Sequence, residues 1–230
     1  MATEVFTDYT EVDANGKLMV TASRAEGANV GRDKDVYLYK DFGADYFNGI
    51  SIDFELYGAS TSVPVVVPAV GFLGFANVID DVSGWGTTDI SAGIGETVAV
   101  GFTIYLVRGP NLAVDYFAAS ADTLYYCSLE RATDSDTATL EIYSDSARSN
   151  LLDTLAVSGF GTTKWRYCYG FVNWNDGYAG IEFDGYVQNL DLSIPPGVSE
   201  LTGRFVVHET TLRYIDGYGD QRYIEGTVVG

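Results

Sequence analysis

Apolar residues fall on every second position along nearly the whole chain, and helical spacing is almost absent. In Ile50-Ser51-Ile52-Asp53-Phe54-Glu55-Leu56 the period of two places Ile50, Ile52, Phe54 and Leu56 on one face of a strand and Asp53 and Glu55 on the other. Similar strand-like runs cover residues 5–12, 17–24, 35–40, 66–79, 97–108, 112–119, 122–131, 137–144, 151–157, 164–174 and 180–192. Turn residues punctuate them. Asn15-Gly16 lies between two runs and reads as a hairpin turn, because a type I′ turn needs positive φ at both central positions. Thr133-Asp134-Ser135-Asp136 closes a second hairpin. Many short strands without intervening helices exclude a parallel α/β sheet and predict an all-β, antiparallel two-sheet jelly-roll sandwich.

The one break in this texture is Ile194-Pro195-Pro196-Gly197, where two prolines stop a hydrogen-bond ladder. It divides a sandwich over residues 1–194 from an extension over 195–230. The extension carries alternating runs around Asp216-Gly217-Tyr218-Gly219-Asp220 and reads as a C-terminal β-hairpin. A two-stranded ribbon buries little surface, so such an appendage is expected to dock on the main domain or on another chain. Asp-Gly-Tyr recurs at 176–178, 184–186 and 216–218, but at unequal spacing, which is turn chemistry and no repeat.

Composition narrows the partners. At 47% hydrophobic and 14% aromatic residues the chain can bury enough apolar surface to offset its ordering entropy. Its 32 acidic residues against 13 Lys and Arg give a net charge of -19, which argues against nucleic acid and anionic lipid as partners. Cys127 and Cys168 sit in aromatic strand-like runs, where a free thiol behaves as a small buried hydrophobe; a single bridge between them is the alternative. Residues 1–9 show no basic and apolar stretch of a secretory signal, so synthesis in a cytoplasm is expected. The apolar run Val63–Ile79 contains Pro64 and Pro68 and falls short of a membrane-spanning helix.

The segment order "DYTEVD…GKLMVTASR…DVYLYKDFG", "LEIYSDSARSNLLDTLAVS", "KWRYCYGFVNWNDG" and "GIEFDGYVQNLDLS" resembles the concanavalin A-like lectin/glucanase jelly rolls found in tailed-virus proteins, over about residues 5–193. The resemblance is one of layout. It implies two antiparallel sheets, the first strand beside the last, and a concave face that binds glycans in many relatives. The fold hosts lectins, hydrolases, lyases and structural modules alike, so activity has to come from the site.

Enzymatic readings rest on carboxylates. Asp53 with Glu55, and Glu182 with Asp184, each put two acids on one strand face, as a retaining glycosidase requires in outline. The second pair is similar to the strand motif of family 16 glycoside hydrolases, but Gly185-Tyr186-Val187 follows it and the third carboxylate is missing. Charged residues on a solvated sheet face are the ordinary alternative. The sole histidine, His208, lies in the extension and reads as an exposed strand residue, which leaves lyase chemistry, nucleophilic triads and zinc without support. No cofactor is expected. Calcium has oxygen-rich turns to consider at Asp80-Asp81, Asp134-Ser135-Asp136 and Asp216–Asp220, although Asp is common in turns for local reasons.

Glycan binding needs an aromatic platform beside amide and carboxylate groups. The loop Asn173-Trp174-Asn175-Asp176-Gly177-Tyr178 has that composition, and Trp85 lies in the Gly-rich segment Ser83-Gly84-Trp85-Gly86. Trp85, Trp174, Asn175, Asp176 and Tyr178 are therefore the candidate ligand-binding residues; the alternative makes Trp174 a core-edge residue and 175–177 a plain turn. The expected role is a non-enzymatic virion protein, decorating a capsid or forming part of a tail or fibre. Its partners would be other virion subunits, further copies of itself and cell-surface glycans. A carbohydrate-active enzyme or free lectin is the competing expectation.

Overall fold

The computed structural model describes residues 4–31, 35–59, 69–97, 101–109, 113–173, 182–192, 204–208, 211–215 and 221–224. The strands are β1 (Thr10–Asp13), β2 (Leu18–Val20), β3 (Arg24–Val30), β4 (Val36–Asp41), β5 (Ile50–Gly58), β6 (Ala69–Ala76) and β7 (Ile90–Thr97). They continue with β8 (Gly101–Arg108), β9 (Ala113–Ala118), β10 (Thr123–Arg131), β11 (Thr137–Tyr143), β12 (Leu151–Ser158), β13 (Tyr167–Val172) and β14 (Phe183–Leu192). These form two seven-stranded antiparallel sheets, as the jelly-roll reading requires. Sheet I has the order β12-β11-β10-β5-β14-β3-β2, and sheet II the order β1-β4-β13-β6-β7-β8-β9.

Alternation builds the core directly. Ile50, Ile52, Phe54 and Leu56 of β5 are all buried, while the intervening residues are partly exposed. They meet Cys127, Leu129, Leu140 and Ile142 of sheet I and Leu38, Phe75, Ile94 and Phe171 of sheet II in one continuous cluster. Each such side chain contributes roughly 1.5–3 kcal/mol by leaving water. Cys127 and Cys168 are free thiols buried in opposite sheets. Burial raises the pKa of both, that of Cys168 to about 12.

Several local expectations change. Asn15-Gly16 does not close a hairpin: β1 pairs with β4 in sheet II and β2 with β3 in sheet I, so the turn is a crossover between sheets. Gly16 still needs its left-handed φ of 64°, and Asp13 braces the turn by accepting from the Leu18 N–H at 2.7 Å. The run 17–24 divides into β2 and the start of β3. It is β3, and not β1, that borders the last sandwich strand, β14. The Thr133–Asp136 turn does join β10 to β11, with Asp134 at φ 56°. β7 escapes the alternation reading because Ser91, Ala92, Gly93 and Gly95 are small, yet β6 and β8 pair with it on both sides.

The expected two-stranded C-terminal hairpin is a three-stranded ribbon of β15 (Arg204–His208), β16 (Thr211–Ile215) and β17 (Gln221–Ile224). The run 204–215, which looks continuous in sequence, supplies two of its strands. His208 stands opposite Thr211 in the register.

Arg131 is the polar centre of one end of the sandwich, only 1% exposed at the end of β10. Its guanidinium donates to Ser135 O, Thr163 O and Gly161 O at 2.8 Å each and to Asn48 O at 3.4 Å. It also lies 4.8 Å over the Trp165 ring. One side chain thus ties the β4–β5, β10–β11 and β12–β13 connections together. Desolvation pulls its pKa down, and the neighbouring Asp134 and Asp136 oppose that shift. Replacing Arg131 by Met would leave four carbonyls at this end of the sandwich without the donor that joins them. The expected loss is about 3–4 kcal/mol in urea unfolding; a loss below about 1 kcal/mol would contradict this role.

Candidate functional site

The outer face of sheet II is aromatic rather than polar. β4 contributes Tyr37 and Tyr39, β13 contributes Tyr167 and Tyr169, and Val12 of β1 packs beside them. Because the period is two, each Tyr-x-Tyr pair points both rings to the same side. Neighbouring rings lie 5.9–6.1 Å apart from centroid to centroid. Tyr39 stays partly exposed, whereas Tyr169 is fully buried.

The β6–β7 connection, residues 77–89, lies on this face. Asn77 fastens its start, donating through Nδ2 to Lys164 O at 2.7 Å and accepting from Arg166 N at 3.0 Å. The Tyr169 hydroxyl donates to Val78 O at 2.7 Å and accepts from Asp80 N at 3.2 Å. Asp81 caps a short 3-10 turn, Val82–Gly84, by accepting from Ser83 N at 2.6 Å. Trp85 then folds under the loop, with its indole N–H on Asp80 O at 3.1 Å and its ring 4.9 Å from that of Tyr169.

Trp85 was expected as an exposed loop aromatic, and this is corrected: it is 5% exposed and packs on the sheet. The approach is possible only because residue 74 is glycine. A Cβ there would sit 2.2 Å from the Trp85 ring. Of the second expected loop, Asn173 is described. It is buried at the end of β13, donating through N to Val36 O at 3.0 Å and through Nδ2 to Gly31 O at 2.9 Å. Trp174, Asn175, Asp176 and Tyr178 lie outside the described residues. Val172, two positions before Trp174 in the sequence, is the register partner of Tyr37.

Polar groups rim the aromatic face. Burial raises the pKa of Tyr37, and the negative charges of Asp80, Asp35, Tyr39 and Asp81 add to the shift. Asp35 and Asp80 are exposed. On the opposite side Arg166 grips Asp41 through two bonds of 2.8 and 2.6 Å and lies 5.0 Å over Tyr167. The Arg166 hydrogen bond, helped by the Gly43 N–H, lowers the pKa of Asp41 to about 2. Hydroxyl, carboxylate and guanidinium groups around ring surfaces suit a ligand with apolar C–H faces and many hydroxyls.

The carboxylate pairs considered for hydrolysis are elsewhere, on the outer face of sheet I. Asp53 accepts from the Ser128 hydroxyl and lies 3.5 Å from the Arg148 guanidinium. Glu55 accepts from Gln188 Nε2 at 2.6 Å. Asp184 accepts from Asn29 N at 2.5 Å, and Glu182 is exposed just before β14. Asp53, Glu55 and Asp184 thus brace neighbouring strands. The acidic turns are occupied in the same way: Asp136 accepts from Gly161 N at 2.8 Å and Gly159 N at 3.2 Å. Among the described residues no group of three His, Cys, Asp or Glu side chains could hold a metal ion. Asp216–Asp220 lie outside the described residues.

No protein-family model matches the chain, and no curated protein matches it. Solved structures give distant likenesses. The VIP36 exoplasmic/lumenal domain, in a Ca2+/Man3GlcNAc-bound form, is 7% identical with a TM-score of 0.48, over 81% of this chain and 86% of that one. The CBM2 module of the evolved Dit of Lactobacillus casei BL23 phage J-1 is 10% identical with a TM-score of 0.42, over 84% and 88%. The GH131 β-glucanase catalytic domain of Podospora anserina is 14% identical with a TM-score of 0.42, over 75% and 74%.

Gly74→Ala tests the packing of Trp85. Its Cβ must displace the indole or spread β6 from β7, at a cost of about 1–3 kcal/mol. The expected signs are lower urea stability and greater acrylamide quenching of tryptophan emission; unchanged stability and quenching would contradict the described packing.

Proposed function

We propose that this protein is a non-enzymatic virion subunit, carried on a capsid or tail, that recognises glycans through the tyrosine face of sheet II. The observation that carries the glycan reading is the contact network of Tyr37, Tyr39, Tyr167 and Tyr169, rimmed by Asp35, Asp80 and the Asp41–Arg166 pair. A sugar can lay its C–H face on Tyr39 while the rim groups bond its hydroxyls. The non-enzymatic reading is supported by the acids at Asp53, Glu55 and Asp184, each already bonded within sheet I.

The virion placement is supported by charge and by the extension. A net charge of -19 keeps an outward-facing subunit dispersed until it docks. Residues 195–230 would be the docking element. Their strands are only four or five residues long, too short for a ribbon that is stable by itself.

A glycan array with the purified full chain, a reducing-sugar assay on every glycan retained, and sedimentation with purified particles test the three parts. Retention without new reducing ends, and co-sedimentation with particles, are expected. Tyr39→Ala should weaken retention about tenfold, the scale of one aromatic contact, and should also lower the urea midpoint, because its ring packs on those of Tyr37, Tyr167 and Tyr169; retention is therefore compared under conditions where the variant is fully folded. Released reducing ends would favour a carbohydrate-active enzyme. A blank array would remove the glycan reading, and absence from particles the virion placement.

A further inference from the structure

Asp89 is the acid on this face that neither the sandwich nor the proposed ligand site explains. It ends the 77–89 connection, is 3% exposed, and accepts from the backbone N–H of Gly86 at 2.6 Å and from that of Asn77. It therefore joins the beginning of the loop to its last turn. Its own carbonyl accepts from Gly109 N at 2.7 Å, so the residue is anchored to the end of β8 while its side chain holds the loop.

The ionisable groups on the segments bonded to this loop are few. Tyr169 on β13 holds Val78 and Asp80. Arg108 at the end of β8 donates to Thr87 O at 3.1 Å. Lys164 and Arg166 engage Asn77 through their backbone, and Asp80 and Asp81 lie on the loop itself. Among the described residues no ion pair includes Asp89. A carboxylate buried without a counter-charge is disfavoured as the anion, so such a group links loop closure to proton binding.

We infer that the 77–89 loop is a pH-responsive clasp over the tyrosine face, with Asp89 as its titrating group. In its purpose, control of access to that face, the clasp rests on the glycan reading; in its mechanism it does not. Closure buries the carboxyl and seats Trp85 on Gly74 beside Tyr169. Opening hydrates the carboxyl and frees the indole together with Tyr169.

The sign follows from where the proton is held more tightly. Burial lifts the Asp89 pKa to about 6, against the opposing effect of the two backbone N–H bonds. In the opened loop it returns to about 4, the ordinary value for a hydrated carboxyl. The closed state thus has its full advantage below about pH 4 and loses it as pH rises to about 6. Acid closes the clasp, and neutral pH loosens it.

Hydrogen exchange of the full chain, followed on peptides covering residues 77–89 and corrected for intrinsic rates, tests this without any ligand. Between pH 5 and 7.5 the protection of the loop should fall about tenfold in the wild type, as the linkage requires. Asp89→Asn should remove the pH dependence. Tyr169→Phe should lower protection at every pH and keep the slope, because it removes a clasp bond but no titrating group. A flat wild-type profile, or an unchanged slope in Asp89→Asn, would overturn the inference; should Asp89→Asn not fold, the wild-type and Tyr169→Phe profiles still decide it. A blank glycan array with the slope intact would instead remove the ligand reading and leave the clasp.

Discussion

β13 is buried on both faces, and the outer half of the molecule is arranged around that fact. All six residues from Tyr167 to Val172 are buried. Cys168 and Phe171 enter the main core, whereas Tyr167, Tyr169 and Val172 face the other way. An antiparallel sheet ordinarily presents one apolar and one polar face. A strand apolar on both sides needs a cover on the second side, and residues 77–89 supply it with Val82 and Trp85. The Tyr169 hydroxyl adds polar anchorage to the same contact, so one residue of β13 both lies beneath the loop and binds its backbone.

The cover is incomplete where Tyr39 and Val12 remain partly exposed, and there the aromatic face meets water beside Arg166 and Asp41. The division of labour between the sheets is clear in their outward residues. Sheet I turns out Asp53, Glu55, Gln188 and Arg24, which bond one another or their strand neighbours. Sheet II turns out tyrosines. At one end of the sandwich the buried Arg131 guanidinium donates to four loop carbonyls, so three connections hold fixed positions relative to the core.

The sandwich was legible in the sequence because the alternation reports burial directly, and β5 follows it residue by residue. What the pattern does not carry is which strand lies beside which. Asn15-Gly16 has the chemistry of a hairpin turn, but the chain uses its left-handed glycine to cross between sheets. Small residues hid β7, since pairing with β6 and β8 makes it a strand despite its glycines. Trp85 followed the rule that loop aromatics are exposed, and the glycine that lets it sink lies eleven positions away on another element. The tyrosine face had a readable signal, the two Tyr-x-Tyr pairs at 37–39 and 167–169, but only the pairing of β4 with β13 brings them together.

Ligand recognition is proposed for the outer face of sheet II, where Tyr39 meets water beside Arg166 and Asp41. A two-dimensional NMR titration of the isotopically labelled chain with a retained glycan decides whether it lies there. Shifted amides are predicted to cluster at Tyr37–Asp41, at Arg166–Tyr169 and in residues 77–89. Shifts centred on Asp53, Glu55 and Gln188 of sheet I, with the tyrosine strands unmoved, would contradict it.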